Sequence, residues 1–339
     1  MKKLILISAI LALVLPSCQH KDLCYIHREH AHKYHVNVAA DYRHDWEENH
    51  GHRDWEATWP MGYIDYESLR PAKPTGLRVI NYNSKGESNL HNIGADGGIV
   101  NLYEGVNDIL IYNNDTEYIL FSRSDYDAST RATTRTRTRA SYTGNPFNSD
   151  AEKEETMTPP DMLYGRYVEG FYAEKVLDPL DLEVTLHPLV FTYKIRYEFD
   201  SGTEYVAIAR GALSGMARSV LMNTGETSAE VGTLLYDCEI KDYGVGAVVN
   251  SFGIPDFPNQ DYVTKVPGKH SLNLEIMLKN GSTIILDFDV TDQVIAQPHG
   301  GVIVVSDIVI KPEDGTQGSG AFDVTVNDWG EYEDIYLPL

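Results

Sequence analysis

Positive charge is scarce in this chain: 28 Lys and Arg stand against 50 Asp and Glu among 339 residues, a formal net charge of −22. Such a body is repelled by a phosphate backbone and by an anionic membrane surface, which excludes electrostatic docking on either. Cysteine is scarcer still. Cys18, Cys24 and Cys238 are too few to staple a disulfide scaffold. Past the N-terminal segment no apolar run reaches the roughly 18 residues a membrane-spanning helix requires. Signatures of chemistry are missing too. Gly211-Ala212-Leu213-Ser214-Gly215 has one residue too many between glycine and serine for a nucleophile elbow. No His-Glu-x-x-His occurs, and Gly244-Val245-Gly246 lacks the third glycine of a dinucleotide loop. The expectation is a non-catalytic protein with no cofactor.

What is present begins at the N-terminus. Lys2 and Lys3 precede a largely apolar run from Leu4 to Leu15, too short to span a bilayer and suited to a signal-peptide core. Leu15-Pro16-Ser17-Cys18 then resembles the bacterial lipobox. That resemblance implies cleavage before Cys18, with a diacylglycerol on its sulfur and an acyl chain on its amine. At about 0.8 kcal/mol per buried CH₂, several acyl chains make a lasting anchor. Residues 1–17 are thus read as a lipoprotein signal peptide. The mature chain carries a charge of −24 once Lys2 and Lys3 are gone, and stands at the outer membrane, on its periplasmic or extracellular face. Cys24 either pairs with Cys238 in that oxidising compartment or remains, like it, a buried or free thiol.

Eight of the 12 histidines crowd the mature N-terminus: His20, His27, His30, His32, His35, His44, His50 and His52. Imidazole is the commonest metal ligand, but the spacing is irregular and completes no zinc signature. Residues 18–34 are read as a His-rich tether, with no metal site. Asp287, Asp289 and Asp292 could serve as paired carboxylates, but acidic strand faces commonly meet that spacing, and a solvated face is the reading preferred. Asn114-Asp115 and the run Asp307 to Asp314 lack calcium-loop spacing.

Period-two alternation dominates the second half. Leu272, Leu274, Ile276 and Leu278 share one face, as do Leu286, Phe288 and Val290 beyond Lys279-Asn280-Gly281-Ser282. Asn-Gly predicts a hairpin with a type I′ turn. The same period runs through Leu182, Val184 and Leu186, through Tyr193 to Phe199, and through Phe322, Val324 and Val326. Shorter strands are predicted at 35–38, 77–80, 99–103, 107–113 and 118–121. Tyr205 to Met222, broken by Gly211 and Gly215, reads as a strand, a loop and one short helix. One-sided apolar strands without βα alternation predict all-β sandwiches. Residues 35–175 and 176–339 are expected to form one sandwich each. Within the first, 122–161 reads as a long flexible loop, poor in apolar residues and holding Arg131, Arg135, Arg137 and Arg139. Trp46, Trp55 and Trp59, with Tyr42, could form an aromatic platform, which makes a surface glycan-binding lipoprotein the alternative function.

Several segments together resemble a family of fimbrillin-like lipoproteins. They are Cys18 to Tyr25; Gly105 with Ile109-Leu110-Ile111-Tyr112-Asn113-Asn114-Asp115-Thr116-Glu117; Leu213-Ser214-Gly215-Met216-Ala217; and Phe288-Asp289-Val290-Thr291-Asp292-Gln293-Val294. The resemblance covers most of the mature chain, in order. It implies two transthyretin-like β-sandwich domains in tandem, as in anchor and accessory subunits of type V pili. It further implies an outer-membrane lipid anchor, a role in adhesion, and fimbrial subunits as partners, engaged by donor-strand exchange. Shaft subunits of that system are cut after an arginine near their first strand. Here the arginines lie late, at 131–139, which points to an anchor or accessory subunit.

Overall fold

The computed structural model describes residues 34–42, 72–122, 130–137, 154–257 and 269–316. They are almost entirely β, as the alternation requires. Seven strands close into a barrel in the order β1 (His35–Tyr42), β10 (Leu180–Pro188), β9 (Tyr164–Ala173), β5 (Gly105–Asn113), β2 (Gly76–Asn83), β3 (Ser88–Gly94) and β4 (Gly97–Asn101), which returns to β1. At the seam β1 runs parallel to β10, with Val38 opposite Leu182, and antiparallel to β4, with Val38 opposite Gly98. Val36, Val79, Ile109, Ile111, Val184 and Leu186 fill the interior. Closure satisfies the ladder bonds of both outer strands and leaves this sheet no free edge.

The all-β expectation holds, with the N-terminal sheet closed into a barrel. The expected boundary at 175/176 puts β10 in the C-terminal domain, but its parallel pairing to β1 makes it a barrel strand.

The second sheet runs β17 (Thr283–Asp289), β16 (Ser271–Leu278), β12 (Val206–Ala217), β14 (Val231–Lys241), β15 (Gly244–Ser251), β11 (Phe191–Ser201) and β18 (Gly301–Val309), with β8 (Glu155–Met157) parallel to β14. It encloses a core that includes Tyr193, Tyr197, Leu213, Leu234, Leu274 and Ile303. A short helix, α1 (Thr291–Ile295), adds Val294 to this core, and α2 (Pro312–Thr316) follows β18. The predicted β16–β17 hairpin is present, with Leu272 opposite Phe288 and Leu274 opposite Leu286. Its turn is not type I′. Of the Asn-Gly pair only Gly281 takes a positive φ, 84°, and Leu278 and Ser282 bond across a three-residue loop. The 205–222 stretch is also corrected. It holds one bulged strand, β12, followed by β13 (Ser219–Leu221), with no α-helix.

A third, three-stranded sheet joins β6 (Ile119–Ser122), β7 (Arg131–Thr134) and β13. Beneath it Ile80, Leu110 and Tyr112 from the outer face of the barrel pack with Val220, Met222 and Phe252 from the second unit. The expected flexible loop over 122–161 is thereby corrected for its described part. It contributes β7 to this sheet and β8 to the other. Ala132 and Thr134 alternate inward and are buried, and threonine's branched Cβ suits a strand.

Candidate functional site

Cys18, Cys24, Arg139, Trp46, Trp55, Trp59, Phe322, Val324, Val326 and seven of the eight N-terminal histidines lie outside the described residues. His35 opens β1. Tyr42 is buried at the other end of that strand, its hydroxyl bonded to the Ala95 carbonyl and its ring edge-on to Tyr164 at 5.4 Å. It serves the barrel and forms no exposed platform. Among the described residues no group of three or more His, Cys, Asp or Glu side chains is placed to hold a metal ion. Cys238 is a free thiol packed against the core of the second unit, and burial pushes it far above the ordinary thiol range. It is therefore unreactive as a nucleophile.

The described segments that carried the family resemblance are structural devices. In the Asn-Asn-Asp-Thr-Glu run, Asn113 accepts the Tyr164 N–H at 2.7 Å and donates to the Met162 carbonyl at 3.0 Å and to Asp115 at 2.7 Å. Burial alone would push the Asp115 carboxyl up, but bonds from Asn113 and Thr75 outweigh it and hold it below the usual range. Asp161 accepts the N–H groups of Glu117 and Tyr118. The run thus latches the end of β5 to the start of β9, fixing where the barrel ends and the bridging sheet begins.

The Leu213-Ser214-Gly215-Met216 segment is a β-bulge. Gly215 sits at φ 80°, where a Cβ would meet the Lys269 carbonyl at 2.3 Å, so glycine is required. Glu154 accepts the Gly215 N–H at 3.0 Å and the Thr233 hydroxyl at 2.8 Å, tying β8 to the bulge. Against the bulge lies His270, 2% exposed. Burial pushes its imidazole down to about 4, against the opposing pull of the Ser214 backbone and the Asp289 charge. The fold favours neutral His270, while the unfolded chain takes up its proton near pH 6.5. This contribution to stability is complete above pH 6.5, is lost as pH falls through the window to about 4, and amounts to about 3 kcal/mol. Denaturant unfolding between pH 7 and pH 4 is expected to show a shallower pH slope for His270→Gln than for the parent. Equal slopes would refute the assignment.

The third segment is α1 with its approach. Asp289 accepts the Thr291 N–H at 3.0 Å and starts the helix; its bonds from Thr291 hold its carboxyl below the usual range. Asp287 accepts from Asn273 on the neighbouring strand. Gln293 and Gln297, one helical turn apart, then lay their amides along β18. Each amide donates to one β18 carbonyl and accepts one β18 N–H, at Val304 and Val302 respectively, over distances of 2.8–2.9 Å. Two side chains thereby imitate a neighbouring strand. Further along, β18 bulges at Ser306–Asp307, where Asp307 takes φ 62°.

This defines the candidate interaction surfaces. β18 pairs with β11 on one side, and its other edge is occupied by glutamine amides and then bent by a bulge. Among the described residues β17 pairs only with β16, and β6 only with β7, so each presents an edge that no described strand covers. Ile285 on β17 and Leu120 on β6 are exposed beside those edges. An open edge offers unpaired backbone groups to an added strand. The described arginines of the middle segment are engaged. Arg131 donates to the Ser219 hydroxyl at 2.9 Å, Arg137 donates to the Leu235 carbonyl at 3.2 Å, and Arg135 lies over the Tyr118 ring.

Residues 63–237, just over half of the chain, match the family model described as Domain of unknown function (DUF5119). The chain belongs to the DUF5119 family. No curated protein matches the DUF5119 chain. Among solved structures, it is similar to an adhesin candidate of Bacteroides ovatus, with 19% identity over 88% of this chain and 98% of that one and a TM-score of 0.56. It is also similar to the fimbrial anchor protein Mfa2 of Porphyromonas gingivalis, with 10% identity over 80% and 90% of the two chains and a TM-score of 0.42. The first likeness shows a common fold across nearly the whole of both chains.

Proposed function

We propose that the protein is a non-catalytic, lipid-anchored cell-surface protein that acts in adhesion as an anchor or accessory subunit of a fimbria-like assembly. One observation carries the reading: the fold is shared over 88% of this chain with an adhesin candidate. The lipobox-like Leu15 to Cys18 segment supports attachment at the outer membrane through Cys18. Open edges at β17 and β6 suit partner subunits that add a strand, with backbone bonds supplying affinity and alternate side chains supplying register. The test is fractionation of Cys18→Ala. The parent is expected with outer membranes, and the variant soluble or unprocessed. A variant still at the outer membrane would end the anchoring reading. A clean deletion with unchanged surface fibres and no co-purifying subunit would end the fimbrial one.

A further inference from the structure

Between the barrel and the second sheet lies a cleft of about 310 Å³, at the small end of the range for ligand pockets. β9 supplies Arg166, the end of β10 supplies His187, and the turn after β13 supplies Asn223. Phe191, Phe257 and His299 complete it. The His299 ring stacks on Phe191 at 4.8 Å and meets the edge of Phe257 at 5.0 Å, which makes a rigid, flat, partly exposed wall.

Three features define what this cleft takes. Its size suits one sugar-sized ring and not a longer chain. Its charge runs against that of the protein: Asp and Glu outnumber Lys and Arg by 50 to 28 overall, but no Asp or Glu lines the cleft, while a guanidinium and two imidazoles do. Arg166 is exposed at this cleft, and its planar fork matches a carboxylate. Lastly, Asn223 lines the cleft with a side-chain amide, a polar group beside the aromatic wall that can hydrogen-bond a hydroxyl.

We propose that the cleft binds an acidic monosaccharide unit. Its carboxylate pairs with Arg166, a ring hydroxyl bonds the Asn223 amide, and the apolar face of the ring lies on the Phe191–His299 wall. A neutral sugar leaves Arg166 unused, and a simple carboxylate leaves Asn223 and the aromatic wall unused. The inference is independent of the anchor at Cys18.

The experiment titrates the full chain with glucuronic acid, with glucose and with acetate, following heat or NMR shifts. Glucuronic acid is expected to saturate in the millimolar range, with glucose and acetate each at least about tenfold weaker. Arg166→Ala is expected to abolish the preference for glucuronic acid over glucose, because one charge-assisted pair is lost. Asn223→Ala is expected to weaken glucuronic acid and leave acetate unchanged. No saturable binding of glucuronic acid overturns the proposal. So does equal binding of glucuronic acid and glucose, acetate bound as tightly as the sugar acid, or an Arg166→Ala variant that keeps the preference while its unfolding curve matches the parent.

Discussion

Gly97→Ala is expected to destabilise the protein by about 4 kcal/mol or more and to open the barrel between β1 and β4. Gly97 begins β4, pairs with Ala39 of β1 and faces Gly94 of β3, so it stands where three strands converge. Its φ is 117°, a conformation that costs a residue with a Cβ about 1–3 kcal/mol. The larger effect is steric. A Cβ there would lie 1.7 Å from the Val38 carbonyl oxygen and 2.7 Å from its carbon. Both are backbone atoms of the neighbouring strand, which cannot rotate aside. Relief requires β4 to move away from β1, which breaks the seam bonds and admits water to Val36 and Val38, both buried. Gly94→Ala is the control three residues away. Its Cβ meets only the Gly97 carbonyl, at 3.4 Å, and its expected cost is about 1 kcal/mol or less. Chemical denaturation with amide exchange at β1 and β4 reads both variants. Equal stability of the two would remove Gly97 as the seam residue.

Legibility of this fold in the sequence followed how far each strand depends on its own pattern. The β16–β17 hairpin was readable as two strands and a turn, because Leu272, Leu274 and Ile276 mark one apolar face, but the wrong turn type would have set its register one residue off. β10 was readable as a strand through Leu182, Val184 and Leu186, but its partner was not. Its parallel neighbour β1 lies far away in sequence, and alternation carries no information about which strand completes a barrel. β7 was missed for a different reason. Its inward residues are Ala132 and Thr134, too small and polar to register as an apolar face, and the flanking Arg131 and Arg135 suggested a solvated loop. β12 was masked by two glycines that normally break a strand. Gly215 supplies the bulge, and Gly211 leaves space for the Tyr236 ring, whose atoms would lie 2.2 Å from a Cβ. The short segments behind the family resemblance were legible as motifs, but their roles required coordinates. The latch joins Asn113 to Tyr164 and the bulge tie joins Glu154 to Gly215, pairs separated by dozens of residues. The cleft was invisible for the same reason, since Arg166, Asn223 and His299 meet only through the packing of the two units.

Gln293→Ala combined with Gln297→Ala is expected to cost about 4 kcal/mol and to make the protein self-associate. The two amides satisfy the N–H and C=O of Val302 and of Val304 on the outer edge of β18. Truncation leaves those four backbone groups without partners, each worth about 1–3 kcal/mol where water is excluded and less where it can enter. The bonds to Val302 are buried and those to Val304 partly so, which makes Gln297 the more costly single change. Stability is only half of the effect. With the amides gone, Val302 to Val305 form an uncovered edge in a largely apolar stretch, the kind that recruits a strand from another molecule. The bulge at Asp307 then limits any added strand to the first half of β18. Light scattering during size exclusion is expected to show the parent monomeric and the double variant forming dimers or larger species, with a lower denaturation midpoint. Gln→Glu changes at both positions separate the two causes. Glutamate keeps the side-chain length but presents only acceptors, so it clashes with the Val302 and Val304 carbonyls and places two negative charges on the edge. It should lose stability like alanine yet remain monomeric. A double alanine variant that loses stability and stays monomeric would mean that the bulge alone protects β18. Strand addition by partner subunits would then belong to the β17 and β6 edges, which no side-chain amide covers among the described residues.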